Sequence, residues 1–174
     1  HISLLPFVIQ TAFELGIPED HTVRIGVFGL IMPVLDQMMG MRVVAAYGMT
    51  ELVTHCIHSN PFEQYPELAM GKVSPGYEFL IVKEDGGLAE VDEMGELWIR
   101  GVRGVSVCLE YFGNDEANEK FFTDDGWART GDIVRLLEAD ETMFSELQGV
   151  ARKSDLEAAL TFTSDKDAAA LHAA

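Results

Sequence analysis

Residues 42–51 read RVVAAYGMTE. The run from Arg42 to Tyr47 is short and almost wholly apolar, with small and β-branched side chains, as in a strand buried on both faces. Gly48 then breaks it, and Met49, Thr50 and Glu51 follow. A glycine there lets the chain turn sharply and lets its backbone come close to a ligand. The strand end therefore delivers an aromatic ring, a hydroxyl and a carboxylate within five residues. Tyr47 can offer a flat face to a heteroaromatic base. Thr50 can donate its hydroxyl to a phosphate oxygen. Glu51 is a hard oxygen ligand suited to Mg²⁺ held on phosphates. Standing alone, the same residues also read as a strand end with a surface Thr-Glu pair.

Upstream, Ser3 is a candidate N-cap for LLPFVIQTAFEL, with Pro6 in the first turn and Gly16 as the stop. The stripe Leu4, Leu5, Val8 and Phe13 reads as core packing. VRIGVFG, residues 23–29, is a second buried strand, and Pro33 to Met39 a short helix. Helix, strand, helix, strand in that order predicts an α/β layer with parallel strands.

Downstream the character changes. GYEFLIVKEDGGLAEV, residues 76–91, predicts a hairpin turning at Asp85-Gly86-Gly87. GELWIRG, residues 95–101, predicts a second strand, and VSVCLEYF, residues 105–112, a third with Cys108 as a small buried hydrophobe. Asn114 can cap a short helix through Phe122, whose acids Asp115, Glu116 and Glu119 form a solvated face. DDGWARTGD, residues 124–132, reads as turn, brief strand, turn, with Trp127 as an anchor; IVRLLE, residues 133–138, is a further strand. The fold class is α/β. Residues 1–75 form its α/β part, 76–144 an antiparallel β subdomain, and 145–174 a degenerate tail expected to be loosely packed or helical.

The chain carries 29 acids against 12 bases, a formal charge of −17. Nucleic acid and anionic membranes need a basic footprint, so neither is expected as a partner. A polyanion such as a nucleotide would have to be met by a divalent metal or by backbone N–H groups. Two cysteines, Cys56 and Cys108, make no disulfide framework and suit a reducing compartment, here the cytoplasm. No apolar run approaches the roughly 20 residues of a membrane span. His55, Cys56 and His58 lie close together but lack the second ligand pair a zinc site needs. His1 opens the chain in what reads as mid-domain helix, so a piece of a longer protein is expected.

A second constellation is DGWARTGD. Asp132 follows a glycine, and a carboxylate there could accept hydrogen bonds from two adjacent hydroxyls, such as a ribose diol. Together, YGMTE, GELWIRG and RGVRGVSVCLEYFGNDEANEKFFTDDGWARTGDIVRLLEAD resemble the AMP-forming acyl-CoA synthetases of the adenylate-forming superfamily. Within that family the long last run is most similar to the carnitine/crotonobetaine and medium- or long-chain acid:CoA ligases. The resemblance spans roughly residues 22–144.

The resemblance implies an ATP- and Mg²⁺-dependent ligase that makes an acyl-adenylate from a small-molecule carboxylic acid, then an acyl-CoA thioester with CoA as co-substrate. It implies that Tyr47 lies against adenine beside Gly48, that Thr50 contacts phosphates, that Glu51 holds Mg²⁺, and that Asp132 grips the ribose. Gly29 and Leu30 fall at the family's adenine-side turn, Leu30 being larger than usual. Met49 and Gly71 fall at its acyl pocket. The family's phosphate loop, rich in Ser, Thr and Gly and ending in Lys, has no counterpart in residues 1–47, and its Gly-Arg hinge is matched only by Ala151-Arg152-Lys153. The chain is thus expected to be inactive alone. A nucleotide- or protein-binding remnant, or a domain loading a carrier protein, are the other readings.

Overall fold

The computed structural model describes residues 1–18 and 20–137, together with the backbone of residues 159–162. The elements in order are β1 (Ile2–Ser3), α1 (Pro6–Leu15), β2 (Ile25–Phe28), α2 (Pro33–Met39), β3 (Arg42–Tyr47), a 3₁₀ turn (Thr50–Leu52), β4 (Ile57–His58), β5 (Ala69–Val73), β6 (Glu78–Val82), β7 (Met94–Arg100), α3 (Asp115–Phe121), β8 (Ala128–Leu137) and β9 (Ala159–Phe162). They form one mixed sheet in the order β1-β2-β3-β4-β5-β9-β8-β7-β6. β1, β2 and β3 run parallel. Every pairing from β3 to β6 through the rest of the sheet is antiparallel.

The parallel end follows the sequence closely. Pro6 starts α1 and Gly16 ends it with φ 76°. Ser3 differs from expectation: it is the last residue of β1, paired with Val27, and Leu5 takes the N-cap position with no side-chain cap. Extending a parallel ladder satisfies its backbone more fully than a single capping bond. α2 ends at Gly40, whose φ of 59° is the left-handed conformation that glycine accepts without cost.

The antiparallel end departs from the sequence reading in three places. The expected hairpin at 76–91 has one true arm, β6; the other is reduced to the bridge Val82↔Leu88. β7 then takes the place beside β6, with Glu78 facing Arg100 and Val82 facing Glu96. The third strand, at 105–112, does not form. The N–H groups of Val105, Ser106 and Val107 all turn back to the Val102 carbonyl, and Cys108 N–H donates to the Glu51 carbonyl. Apolar alternation there is not a sheet face, since Leu109 and Phe112 are exposed, and Cys108 is only half-buried. Finally, ARTGDIVRLL is one strand, β8, not two pieces separated by a turn.

Two main apolar clusters hold the sheet, with a third, minor one formed by Ile31, Ala45 and Ala69. The larger includes Leu52, Cys56, Ile57, Met70, Leu97, Ile99, Phe121, Phe122, Ala128 and Val134. The smaller joins α1, α2 and β3 through Leu4, Ile9, Met32, Leu35, Met39 and Val43. Trp127 is buried, as its anchoring role requires, and the Arg100 guanidinium stacks 4.4 Å from the centre of its ring. Asn114 caps α3 by accepting from Ala117 N–H at 3.1 Å. The Ala151-Arg152-Lys153 segment, and most of the tail assigned to 145–174, lie outside the described residues; the four residues of β9 within it are strand rather than helix.

Candidate functional site

β2 and β3 end at the same edge, because Phe28 is in register with Ala45. In α/β sheets this carboxyl edge is where ligands bind. Just beyond it, Gly48 sits against the loop that follows: a Cβ there would lie 2.8 Å from the Thr54 carbonyl oxygen and 3.1 Å from the His55 Cα. No side chain fits, so glycine is required for the reversal that the sequence suggested. Thr50, Glu51 and Leu52 wind into the 3₁₀ turn, and Val53 leaves it with φ 61°, an unfavourable conformation for a β-branched residue. Tyr77 binds this turn to the next loop, its hydroxyl standing 2.7 Å from the Leu52 carbonyl oxygen and 2.9 Å from that of Ser106.

Asp132 reaches the same place from the far side of the sheet. Glu96 pairs with Ile133 and Trp98 with Arg129, so Thr130, Gly131 and Asp132 bulge out opposite the single residue Leu97. Gly131 takes φ 78° at the bulge. Thr130 donates to the Leu97 carbonyl at 2.7 Å and accepts the Asp132 N–H at 3.1 Å. Glu96 completes the mounting: one oxygen accepts the Gly131 N–H at 3.0 Å, the other the Trp98 indole N–H at 2.9 Å. GELW and RTGD, read separately in the sequence, are therefore one device that presents Asp132.

The outcome is a direct contact between sites 85 residues apart: the Tyr47 hydroxyl donates to Asp132 Oδ2 at 2.5 Å. Burial, then the aspartate, drive the Tyr47 phenol far above the usual tyrosine range, so it stays a donor at neutral pH. The buried Cys56 thiol lies 3.8 Å from the Tyr47 carbonyl oxygen, and burial pushes it up to about 12. Glu51 is held separately, its Oε1 accepting the Tyr111 hydroxyl at 2.7 Å.

Of the other sequence-predicted residues, Thr50 is exposed at the start of the 3₁₀ turn, and Met49 packs against the larger cluster. Gly29 is exposed with open space around its Cα, while Leu30 is half-buried between both clusters. Gly71 is buried and pressed on β4: a Cβ would stand 2.2 Å from the His58 carbonyl oxygen. Strand packing thus explains its small size. Glu96, Thr130 and Tyr111 escaped the sequence reading; only the proximity of strand partners in space reveals them. A large open cavity of about 940 Å³ lies at the opposite edge, lined by His21, Arg24, Met39 and Arg42 among others, and contains none of these residues.

Among the described residues no three His, Cys, Asp or Glu side chains gather as a metal cage. Mg²⁺ does not need one, since it commonly takes one or two carboxylates and fills its octahedron with waters and substrate phosphates. Glu51 fits that pattern: Tyr111 engages Oε1, and Oε2 would be the donor to a cation.

Residues 31–112 match the family described as AMP-binding enzyme. Crotonobetaine/carnitine–CoA ligase from Escherichia coli K12 is 33% identical over 96 residues, 55% of this chain and 19% of that protein. The same ligase from Citrobacter koseri is 30% identical over 136 residues, 74% of this chain and 26% of that protein. The chain thus spans about a quarter or less of the curated relatives it matches. Among solved structures, O-succinylbenzoate coenzyme A synthetase from Bacillus subtilis in complex with AMP superposes with a TM-score of 0.65 and 26% identity, over 94% of this chain and 38% of that one. A benzoate CoA ligase from Burkholderia xenovorans shares the fold at a TM-score of 0.67 and 20% identity, over 95% of this chain and 31% of that one.

Proposed function

From the premise that this chain is a partial domain of the AMP-forming acyl-CoA ligase kind, we propose that it supplies the adenosine and magnesium side of a site that activates a carboxylic acid with ATP. The acid's carboxylate attacks the α-phosphorus of ATP, giving acyl-adenylate and pyrophosphate. The CoA thiol then displaces AMP and leaves a thioester. The chain's part is positioning and charge neutralisation. The Tyr47 ring, with Gly29, Leu30 and Gly48, takes the adenine. Asp132 accepts from the ribose hydroxyls and Thr50 donates to a phosphate. Glu51 holds Mg²⁺, which when bound would spread the phosphate charge. Met49 and Gly71 lie towards the acyl group.

One observation carries this reading: the Tyr47–Asp132 contact unites the base-side and sugar-side residues across 85 positions of sequence. Two free cysteines and the excess of acid favour a reducing, cytoplasmic setting with small-molecule rather than nucleic-acid partners. No helix among the described residues is long and apolar enough to cross a membrane.

Calorimetry with ATP tests the proposal. Asp132→Ala removes the acceptor of two charge-assisted bonds, each worth about 1.5–3 kcal/mol, so affinity should fall at least about a hundredfold while the circular dichroism spectrum is retained. Equal affinity in the variant and the wild type would refute the ribose role. Pyrophosphate exchange by the 174 residues alone is expected to be undetectable, because residues 1–47 hold no lysine and hence no lysine-terminated phosphate loop.

A further inference from the structure

Glu51 stands on a three-residue turn, and a carboxylate on so short a support has little to fix its rotamer. It is fixed from outside. The Tyr111 hydroxyl donates to Oε1 at 2.7 Å, and the Cys108 N–H donates to the Glu51 carbonyl at 2.6 Å. Both groups belong to the loop that the sequence suggested was a strand.

Tyr111 is itself clamped. Its N–H donates to Asn118 Oδ1 at 2.7 Å, and the Asn118 side-chain N–H donates back to the Tyr111 carbonyl at 3.0 Å. Its ring meets Phe121 edge-on with centroids 5.5 Å apart. Phe121 is buried in the larger cluster. An unbroken chain of contacts therefore runs from the core through α3 and Tyr111 to one oxygen of Glu51. An ionised carboxylate can only accept, so towards Glu51 the Tyr111 hydroxyl is the donor, and it orients that group while adding no second carboxylate to the site.

Resting on the nucleotide reading above, we propose that Tyr111 is a positioning residue for the magnesium-binding carboxylate, holding Glu51 Oε1 so that Oε2 is presented to a phosphate-bound cation. Partners that orient a metal ligand in this way typically change metal affinity by about 10–100-fold when lost.

The test is ligand-detected NMR of ATP with the whole chain, first in excess chelator and then through a Mg²⁺ titration. Wild type, Tyr111→Phe and Glu51→Gln are compared. Phenylalanine keeps the edge contact with Phe121 and removes only the hydroxyl. Tyr111→Phe should bind metal-free ATP as the wild type does, and should need about tenfold more Mg²⁺ to reach its midpoint. Glu51→Gln should lose the Mg²⁺ response. An unchanged midpoint in Tyr111→Phe, beside a lost response in Glu51→Gln, overturns the positioning role and leaves the nucleotide reading standing. So does weakened ATP binding in chelator, which would mark a structural role. A wild type without any Mg²⁺ response overturns the nucleotide reading of Glu51 first and this inference with it. Should Tyr111→Phe fail to fold, Asn118→Ala decides: it loosens the clamp but keeps the hydroxyl, and a midpoint equal to wild type counts against the role.

Discussion

The two ends of the sheet are held together very differently. At the antiparallel end, Leu52, Ile57, Leu97, Ile99, Ala128 and Val134 are fully buried, and the site is tied to them by paired strands, a bulge and tyrosine hydroxyls. At the parallel end, α1 buries only Ile9 among its residues and leaves Phe7, Phe13 and Leu15 at 64%, 60% and 81% exposure. Burial of apolar surface is the main stabilising term, so the first end should be the last to open and the second the first. The proposed nucleotide site needs Asp132 and Glu51 in fixed places, which suits the stiff end. It is there that these two acids, the turn that carries one and the bulge that carries the other, are found.

The sharpest attack on the stiff end is Gly71→Ala. The new methyl would meet the His58 backbone at 2.2 Å with φ at 113°. Overpacking and the positive φ together should cost about 3–5 kcal/mol by urea denaturation. A loss below about 1 kcal/mol would mean that β4 can shift, and the rigid half would not be rigid. Next comes a pair of truncations. Leu97→Ala, fully buried at the centre of β7, should cost about 3–4 kcal/mol, and Ile9→Ala about 2, since α1 can settle into the gap. Hydrogen exchange should show the first speeding opening across β7 and β8, and the second confined to α1 and β2. Equal costs with equal spread would make the two ends one cooperative unit.

This contrast also explains what could be read from the chain. α2 and β3 have the ends the sequence suggests, since Pro33, Gly40 and the apolar run of β3 act locally. The parallel pairing followed from element order alone. The motifs singled out Tyr47, Glu51 and Asp132 as candidates, but not how the fold mounts them. The Glu96–Gly131 bond joins residues 35 apart and the Tyr111–Glu51 bond residues 60 apart, and no local pattern encodes either. The segment at 105–112 misled because its valines and aromatics have strand propensity, while its N–H groups are spent on the Val102 and Glu51 carbonyls.

A gentler probe of the stiff end is pH. Burial raises the Cys56 thiol from 9.0 to about 12 in the folded chain. Above the unfolded value the unfolded chain has released a proton that the folded chain retains, so stability falls as pH rises. The contribution is fully present below about pH 9 and is lost towards pH 12. The melting temperature should therefore drop less between pH 9 and 11 in Cys56→Ala than in the wild type. Parallel curves would place the thiol in contact with water.

The smallest expected effect is at the loose end, and it is the most discriminating. Phe13 is 60% exposed on α1, so replacing it with Ser should change stability by less than about 0.5 kcal/mol, within the range of ordinary surface substitutions. An exposed phenylalanine contributes little because most of its surface is in water in both folded and unfolded chains. The measurement is a urea titration of Phe13→Ser beside Leu97→Ala. A loss above about 1.5 kcal/mol for Phe13→Ser would require the ring to be covered in solution. The parallel end would then owe its stability to a contact outside the described fold, and the order of opening argued from the two clusters would have to be reversed.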